Sequence, residues 1–230
     1  MKTLGSVLVA AAVVLGGASP GGTADDPHAR HLIYLHGRIV QAQQSARPRH
    51  PRFGYYELRE IEDVLRGRGF AVRADIRPES ATVSGSADGV VTEVRQLLDS
   101  GVPADHVCVV GASMGGAIAL LASARLQEPD VRFCILGGCL TENLRQLRAD
   151  GGTGPIGHVL SIREASDDLM GPCPSWKGDP EPRPGLVARE VVVDTGLSHG
   201  FLYRPLPEWV GPVVEWALTG SLQTSSGTQR

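Results

Sequence analysis

The chain has little net charge: 25 acidic and 22 basic side chains among 230 residues leave a balance of −3. That balance gives no hint of a nucleic-acid partner, which asks for a clustered basic face. Membrane-spanning length is missing as well. The apolar N-terminal run, Leu4 to Ala18, is interrupted by glycine and falls short of the roughly 18–20 residues that cross a bilayer. Cysteine is scarce, with four residues, and no Cys/His spacing resembles a zinc site. No metal and no cofactor are implied. There is no internal repeat and no linker that would divide the chain, so its length fits one domain with ample core. A hydrophobic content of 42% and a charged content of 20% are those of an ordinary globular protein.

The N-terminus is the first positive signal. Lys2 precedes the short apolar run, and small residues follow it, the order of a secretory signal. Cleavage suits the position after Ala18 or the one after Ala24, in Gly22-Thr23-Ala24. The expected organisation is a signal peptide over 1–24, one domain over 25–218 and a polar, frayed tail over 219–230. A retained anchor and a buried helix are the competing readings of the run. No Cys follows it, which argues against a lipid anchor. Export would let disulfides persist. Cys108 and Cys134 fall inside predicted buried strands, where a thiol packs as a small hydrophobe. Cys139 and Cys173 fall just past strands, in loops on the same edge of the sheet, and are predicted to pair.

Six apolar runs alternate with helical patterns. The runs cover 31–36, 70–76, 106–110, 131–137, 157–162 and 190–194. Several are near-continuous in Val, Ile and Leu, as strands buried on both faces should be. The helical patterns cover 55–68, 86–100, 113–127, 141–149 and 206–218, the last with Trp209, Val213, Val214, Trp216 and Ala217 for packing on the sheet. Strand–helix alternation predicts an α/β fold with a doubly wound, mostly parallel six-stranded sheet. Ligands of such sheets bind beyond the carboxyl ends of the strands. Two long segments, 38–54 and 169–188, read as loops bordering that end. The first holds Arg38, Arg47, Arg49, Arg52 and His50. Its arginines suit an anionic substrate or, more simply, solvation.

Gly111-Ala112-Ser113-Met114-Gly115 lies between the third run and the third helical pattern. A Gly-x-Ser-x-Gly in that position sets the serine on a sharp turn with its hydroxyl held above the sheet. With 29 glycines in the chain the motif alone is weak, so its surroundings must carry the argument. A serine nucleophile needs a base, and the base an orienting acid. Downstream, Arg163-Glu164-Ala165-Ser166-Asp167-Asp168 follows the fifth run and Ser198-His199-Gly200-Phe201 follows the sixth. Upstream, His36-Gly37-Arg38 ends the first. Ser113 has a plainer reading as the cap of its helix, and His199 as a turn histidine.

Over nearly all of residues 31 to 218 the chain resembles a small α/β-hydrolase. His36-Gly37 resembles that family's oxyanion turn, 111–115 its nucleophile elbow, and 198–201 its histidine loop. Asp167, five residues after Ile162, matches the spacing of its acid, with Asp168 competing from the same loop and Glu164 a more distant choice. The chain lacks the leading antiparallel strands and the cap of larger members. The resemblance implies Ser113 as nucleophile, His199 as general base and Asp167 as acid, with the backbone N–H groups of Arg38 and Met114 facing the oxyanion. His36 would steady the turn. The expected protein is an exported serine hydrolase of a small carboxylic ester, without nucleic acid and without a membrane span once the signal is removed. A peptidase or amidase of the same fold, and a non-catalytic binding protein on that fold, are the alternatives.

Overall fold

The computed structural model describes residues 28–139, 154–173 and 184–223. The signal segment and the helical pattern at 141–149 lie outside the described residues. Six strands form one sheet: β1 (Arg30–Leu35), β4 (Phe70–Arg73), β5 (Val107–Ala112), β6 (Arg132–Leu136), β7 (Gly157–Glu164) and β8 (Leu186–Val193). Their order is β4-β1-β5-β6-β7-β8, and every pairing is parallel. The helices are α1 (Arg38–Gln43), α2 (Leu58–Arg66), α3 (Val83–Asp99), α4 (Met114–Leu126) and α5 (Pro207–Thr219).

The near-continuous apolar strands are explained by helices on both faces. Side chains alternate across a strand. On β1 and β5, Leu32, Tyr34, Cys108 and Val110 pack toward α2 and α5, where Ile61, Leu65, Trp209, Val213 and Trp216 are buried. Ile33, Leu35, Val107 and Val109 pack toward α3 and α4, against Val90, Val94, Ile118 and Leu121. α4 is buried along almost its whole length, with Ser123 and Arg125 its only polar side chains, as a helix apolar nearly all round must be. The two tryptophans of α5 keep their polar edges satisfied: the indole N–H of Trp216 donates to the His158 carbonyl at 3.0 Å and that of Trp209 to the Arg204 carbonyl at 2.9 Å. Cys108 and Cys134 are free and buried, and Cys139 is bonded to Cys173 with their Cα atoms 4.9 Å apart. No helix among the described residues is long and apolar enough to cross a membrane.

The chain runs outward from β1 to the edge strand β4, then returns to β5 on the other side of β1 and continues toward β8. The sheet therefore changes winding direction between β1 and β5. Diverging connections open a crevice at the carboxyl ends there, and both His36-Gly37 and Ser113 follow those ends.

Several boundaries differ from the sequence reading. Residues 38–54 are not one loop: they hold α1 and a small antiparallel hairpin of β2 (Arg49–His50) and β3 (Gly54–Tyr55). α1 spans six residues, of which Val40 and Gln41 are buried, too few to make a helical period visible. β8 starts at Leu186, inside the stretch read as the second loop. It is an edge strand with only β7 beside it, so polar Arg189 and Glu190 interrupt its apolar run. β4 stops at Arg73, where its pairing with β1 ends. α3 begins at Val83, before its apolar period starts, because the Thr82 hydroxyl caps it by accepting from the Gly85 N–H at 3.0 Å.

Candidate active site

Ser113 stands between β5 and α4 with φ 54° and ψ −115°. A non-glycine residue there is strained, and such strain persists only where its surroundings impose it. The neighbours do so by close backbone approach. A Cβ on Gly111 would lie 2.1 Å from the Gly115 carbonyl oxygen, and a Cβ on Gly115 would lie 1.9 Å from that of Leu35. The two glycines are thus required by contact between backbones of β1, β5 and α4. Although Ser113 occupies the capping position of α4, its side chain makes no capping hydrogen bond.

The hydroxyl of Ser113 is instead 2.9 Å from His199 Nε2, and His199 Nδ1 is 2.7 Å from Asp167 Oδ2. In this arrangement Nδ1–H donates to the carboxylate and Nε2 is free to accept from the serine. His199 lies on a short 3₁₀ turn, Ser198–Tyr203, just beyond β8, and its side chain is largely buried. The Asp167 side chain is wholly buried. Its second oxygen, Oδ1, accepts from the N–H groups of Leu169 at 2.9 Å and Met170 at 3.3 Å. One oxygen is thus held by its own loop while the other faces the imidazole.

Asp168 goes elsewhere. Its carboxylate is exposed, with Oδ2 receiving Arg52 Nη1 at 2.9 Å and Oδ1 receiving the Ser198 hydroxyl at 3.0 Å. Hydrogen bonds from Arg52, then Ser198, hold its pKa below the ordinary aspartate value. Glu164 is buried behind both loops, and it accepts hydrogen bonds from each rather than facing the imidazole.

On the other side of Ser113, Gly37 precedes α1, and a Cβ at Gly37 would sit 3.6 Å from the Ser113 Cβ. Arg38 and Met114 are the first residues of α1 and α4. Their N–H groups belong to first turns, which have no intrahelical acceptor. His36 is fully buried below this turn. Its Nδ1–H donates to the Gly37 carbonyl at 2.9 Å, and its Nε2 accepts from the Arg77 N–H at 3.1 Å. Burial, aided by the Arg77 charge, lowers its pKa from 6.5 to about 4, so the ring is neutral at ordinary pH. The Arg77 guanidinium donates to the His36 carbonyl at 2.5 Å. Arg77 was not singled out in the sequence. It lies in a segment between β4 and α3 with no regular period, and only the proximity of β1 and β4 brings it to the turn.

A cavity of about 400 Å³ opens on Ser113 and His199. Its walls are mostly apolar, with Ile39, Ala42, Phe53, Tyr56, Leu202 and Tyr203 among them, and Arg38 and His50 supply polar lining. Phe53 stacks on His50 at 4.6 Å and meets Tyr203 edge-on at 5.5 Å. The arginines of residues 38–54 are partly committed: Arg47 pairs with Glu57 and Arg52 with Asp168, each at 2.9 Å.

No protein-family model matches this chain, and no curated protein matches it. Solved structures do. Est1E from Butyrivibrio proteoclasticus superposes with a TM-score of 0.51 at 16% identity, covering 86% of this chain and 90% of its own. A phospholipase/carboxylesterase from Dyadobacter fermentans gives 0.45 at 14% identity, covering 84% of this chain and 90% of its own. A lidless α/β serine hydrolase from Xanthomonas campestris also gives 0.45 at 14% identity, covering 85% of this chain and 84% of its own. The sheet order, the helices on both faces and the superposition on Est1E identify the architecture as the α/β-hydrolase fold.

Proposed function

We propose that this chain is a serine hydrolase that cleaves a carboxylic ester through an acyl-enzyme. The observation that carries the reading is the unbroken chain of hydrogen bonds from Ser113 Oγ through His199 to Asp167, at the mouth of a mostly apolar cavity. Ser113 Oγ attacks the ester carbonyl as His199 Nε2 takes its proton. Asp167 holds the imidazole in the accepting tautomer and stabilises the imidazolium. The carbonyl oxygen, now an oxyanion, is received by the N–H groups of Arg38 and Met114. Collapse expels the alcohol, which takes the proton from His199. Water, deprotonated by the same imidazole, then releases the acid and regenerates Ser113. Each oxyanion donor is expected to supply about 100–1,000-fold in turnover.

The cavity walls favour an uncharged, apolar acyl group of modest size. Export accords with the Cys139–Cys173 disulfide, since such bonds persist outside the reducing cytosol.

A fluorophosphonate probe should label the protein at Ser113, and Ser113→Ala should abolish both labelling and hydrolysis of chromogenic esters. Undiminished labelling of that variant would rule out Ser113 as the nucleophile. A wild-type protein that neither labels nor turns over esters of any acyl length would favour a binding role for the fold.

A further inference from the structure

The Asp167 and His199 side chains sit on two different loops, one after β7 and one after β8. Their hydrogen bond requires those loops to keep a fixed separation. Glu164 is the last residue of β7, and it is 1% exposed. One carboxylate oxygen, Oε2, accepts from the Ser166 N–H and from the Ser166 hydroxyl, both at 2.6 Å. The other, Oε1, accepts from the N–H groups of Thr195 and Gly196, both at 3.0 Å, and from the Thr195 hydroxyl at 3.4 Å. Ser166 adjoins Asp167, and Thr195-Gly196 lies three residues before His199. Backbone bonds add to the same junction: the Asp167 N–H donates to the Glu164 carbonyl at 3.2 Å, and the Ala165 N–H to that of Val193 at 2.8 Å.

We infer that Glu164 is a positioning residue for the proposed triad, clamping the acid loop to the histidine loop so that Asp167 and His199 stay in line. The inference rests on the hydrolase reading of the site. The chemistry of the side chain fits the task closely. An ionised carboxylate is an acceptor at both oxygens, whereas a carboxamide of the same shape has a donor at one end. Both ends of Glu164 meet donors. No cation pairs with it among the described residues, so its buried charge is held by hydrogen bonds alone. Burying a charge in that way is costly, and a packed apolar side chain is often at least as stabilising. What an apolar side chain does not supply is a rigid, two-ended acceptor joining the two loops. Burial opposes ionisation of Glu164, but the donors from Ser166, Thr195 and Gly196 outweigh it and keep the carboxyl below its ordinary pKa.

Glu164→Gln tests this. The NH₂ of the new side chain must face donors on one side, releasing either the Ser166 or the Thr195-Gly196 side. Because small misplacements of reacting groups cost about 100-fold, kcat should fall roughly 10–100-fold with KM little changed. In the resting protein, the downfield proton resonance of the hydrogen bond between His199 Nδ1 and Asp167 should broaden or disappear, a signal that requires no turnover. A variant with wild-type kcat and an unchanged resonance would overturn the inference. If the wild type fails to label or to hydrolyse esters while Glu164→Gln still loses the resonance, the hydrolase reading falls and the clamp stands. Should Glu164→Gln not fold, Ser166→Ala removes a single donor. It should lower kcat by several-fold, with the resonance weakened, and no change in either overturns the clamp.

Discussion

The two sides of the site are built by different means. On the β1–β5 side, the serine and the proposed oxyanion donors are placed by backbone against backbone: Gly115 lies under the Leu35 carbonyl, and Gly37 lies beside Ser113. On the β7–β8 side, the acid and the imidazole ride on loops joined by a side chain, Glu164, and the Cys139–Cys173 bond ties the acid loop to the segment after β6. The first kind of construction leaves almost no freedom at Gly111 and Gly115, because a single added carbon atom there has nowhere to go. The second has adjustable parts and is correspondingly open to substitution. Asp167 and Asp168 show how sharply the side-chain construction discriminates. They are consecutive residues, yet one is buried against His199 and the other is exposed to Arg52.

That contrast can be broken most severely at Asp167. Asp167→Asn should leave the fold intact and lower kcat by about 10,000-fold, because the imidazole loses the partner that fixes its tautomer. Asp168→Asn, one residue on, should change kcat by less than about threefold, since exposed ion pairs contribute little. Kinetics on the two purified variants compare them directly, and equal losses would remove the distinction between them. A smaller effect is expected from the disulfide. Replacing Cys139 and Cys173 by serine opens a link across a sequence separation of 34, and should cost about 3–4 kcal/mol of stability by chain entropy. Denaturant titration measures that loss, and kcat of the folded variant reports whether the acid loop has loosened with it.

The last effect, on stability alone, belongs to the β1–β5 side. His36 has a folded pKa of about 4 against an ordinary 6.5. The unfolded chain therefore binds the proton more readily, and the stability that comes from keeping this ring neutral is present above pH 6.5 and lost as the pH falls toward about 4. The loss should approach about 3 kcal/mol. Urea midpoints across that interval should decline less steeply in His36→Asn, and an equal slope in both proteins would assign the pH dependence to other groups.

Much of the architecture was legible because it depends on periodicity. Runs such as 106–110 and the mostly apolar pattern at 113–127 read as buried elements, and their alternation implied a parallel sheet. The six-residue α1 was not legible, since a turn and a half of helix with Val40 and Gln41 buried leaves no period to read. At the site, chain order put Ser113 after the third strand of the sheet, the 167–168 pair after the fifth and His199 after the sixth. It left Asp167 and Asp168 unresolved, because neighbouring side chains in one loop differ only in where that loop's hydrogen bonds turn them. Glu164 was legible only as a spare acid. The donors that define its surroundings, at Thr195 and Gly196, are some thirty residues away along the chain. Arg77 escaped notice for the same reason: its partner, His36, is 41 residues upstream.

By itself the sequence determined the alternation of strands and helices and the elbow around Ser113. Both follow from local rules: side-chain period along an element, and the lack of a Cβ at Gly111 and Gly115 where the turn is tightest. Only the tertiary structure decided which aspartate meets His199, what holds the two loops together and what keeps the His36 ring neutral. Those outcomes depend on burial and on hydrogen bonds between segments that become neighbours only when β1, β4, β7 and β8 take their places in the sheet.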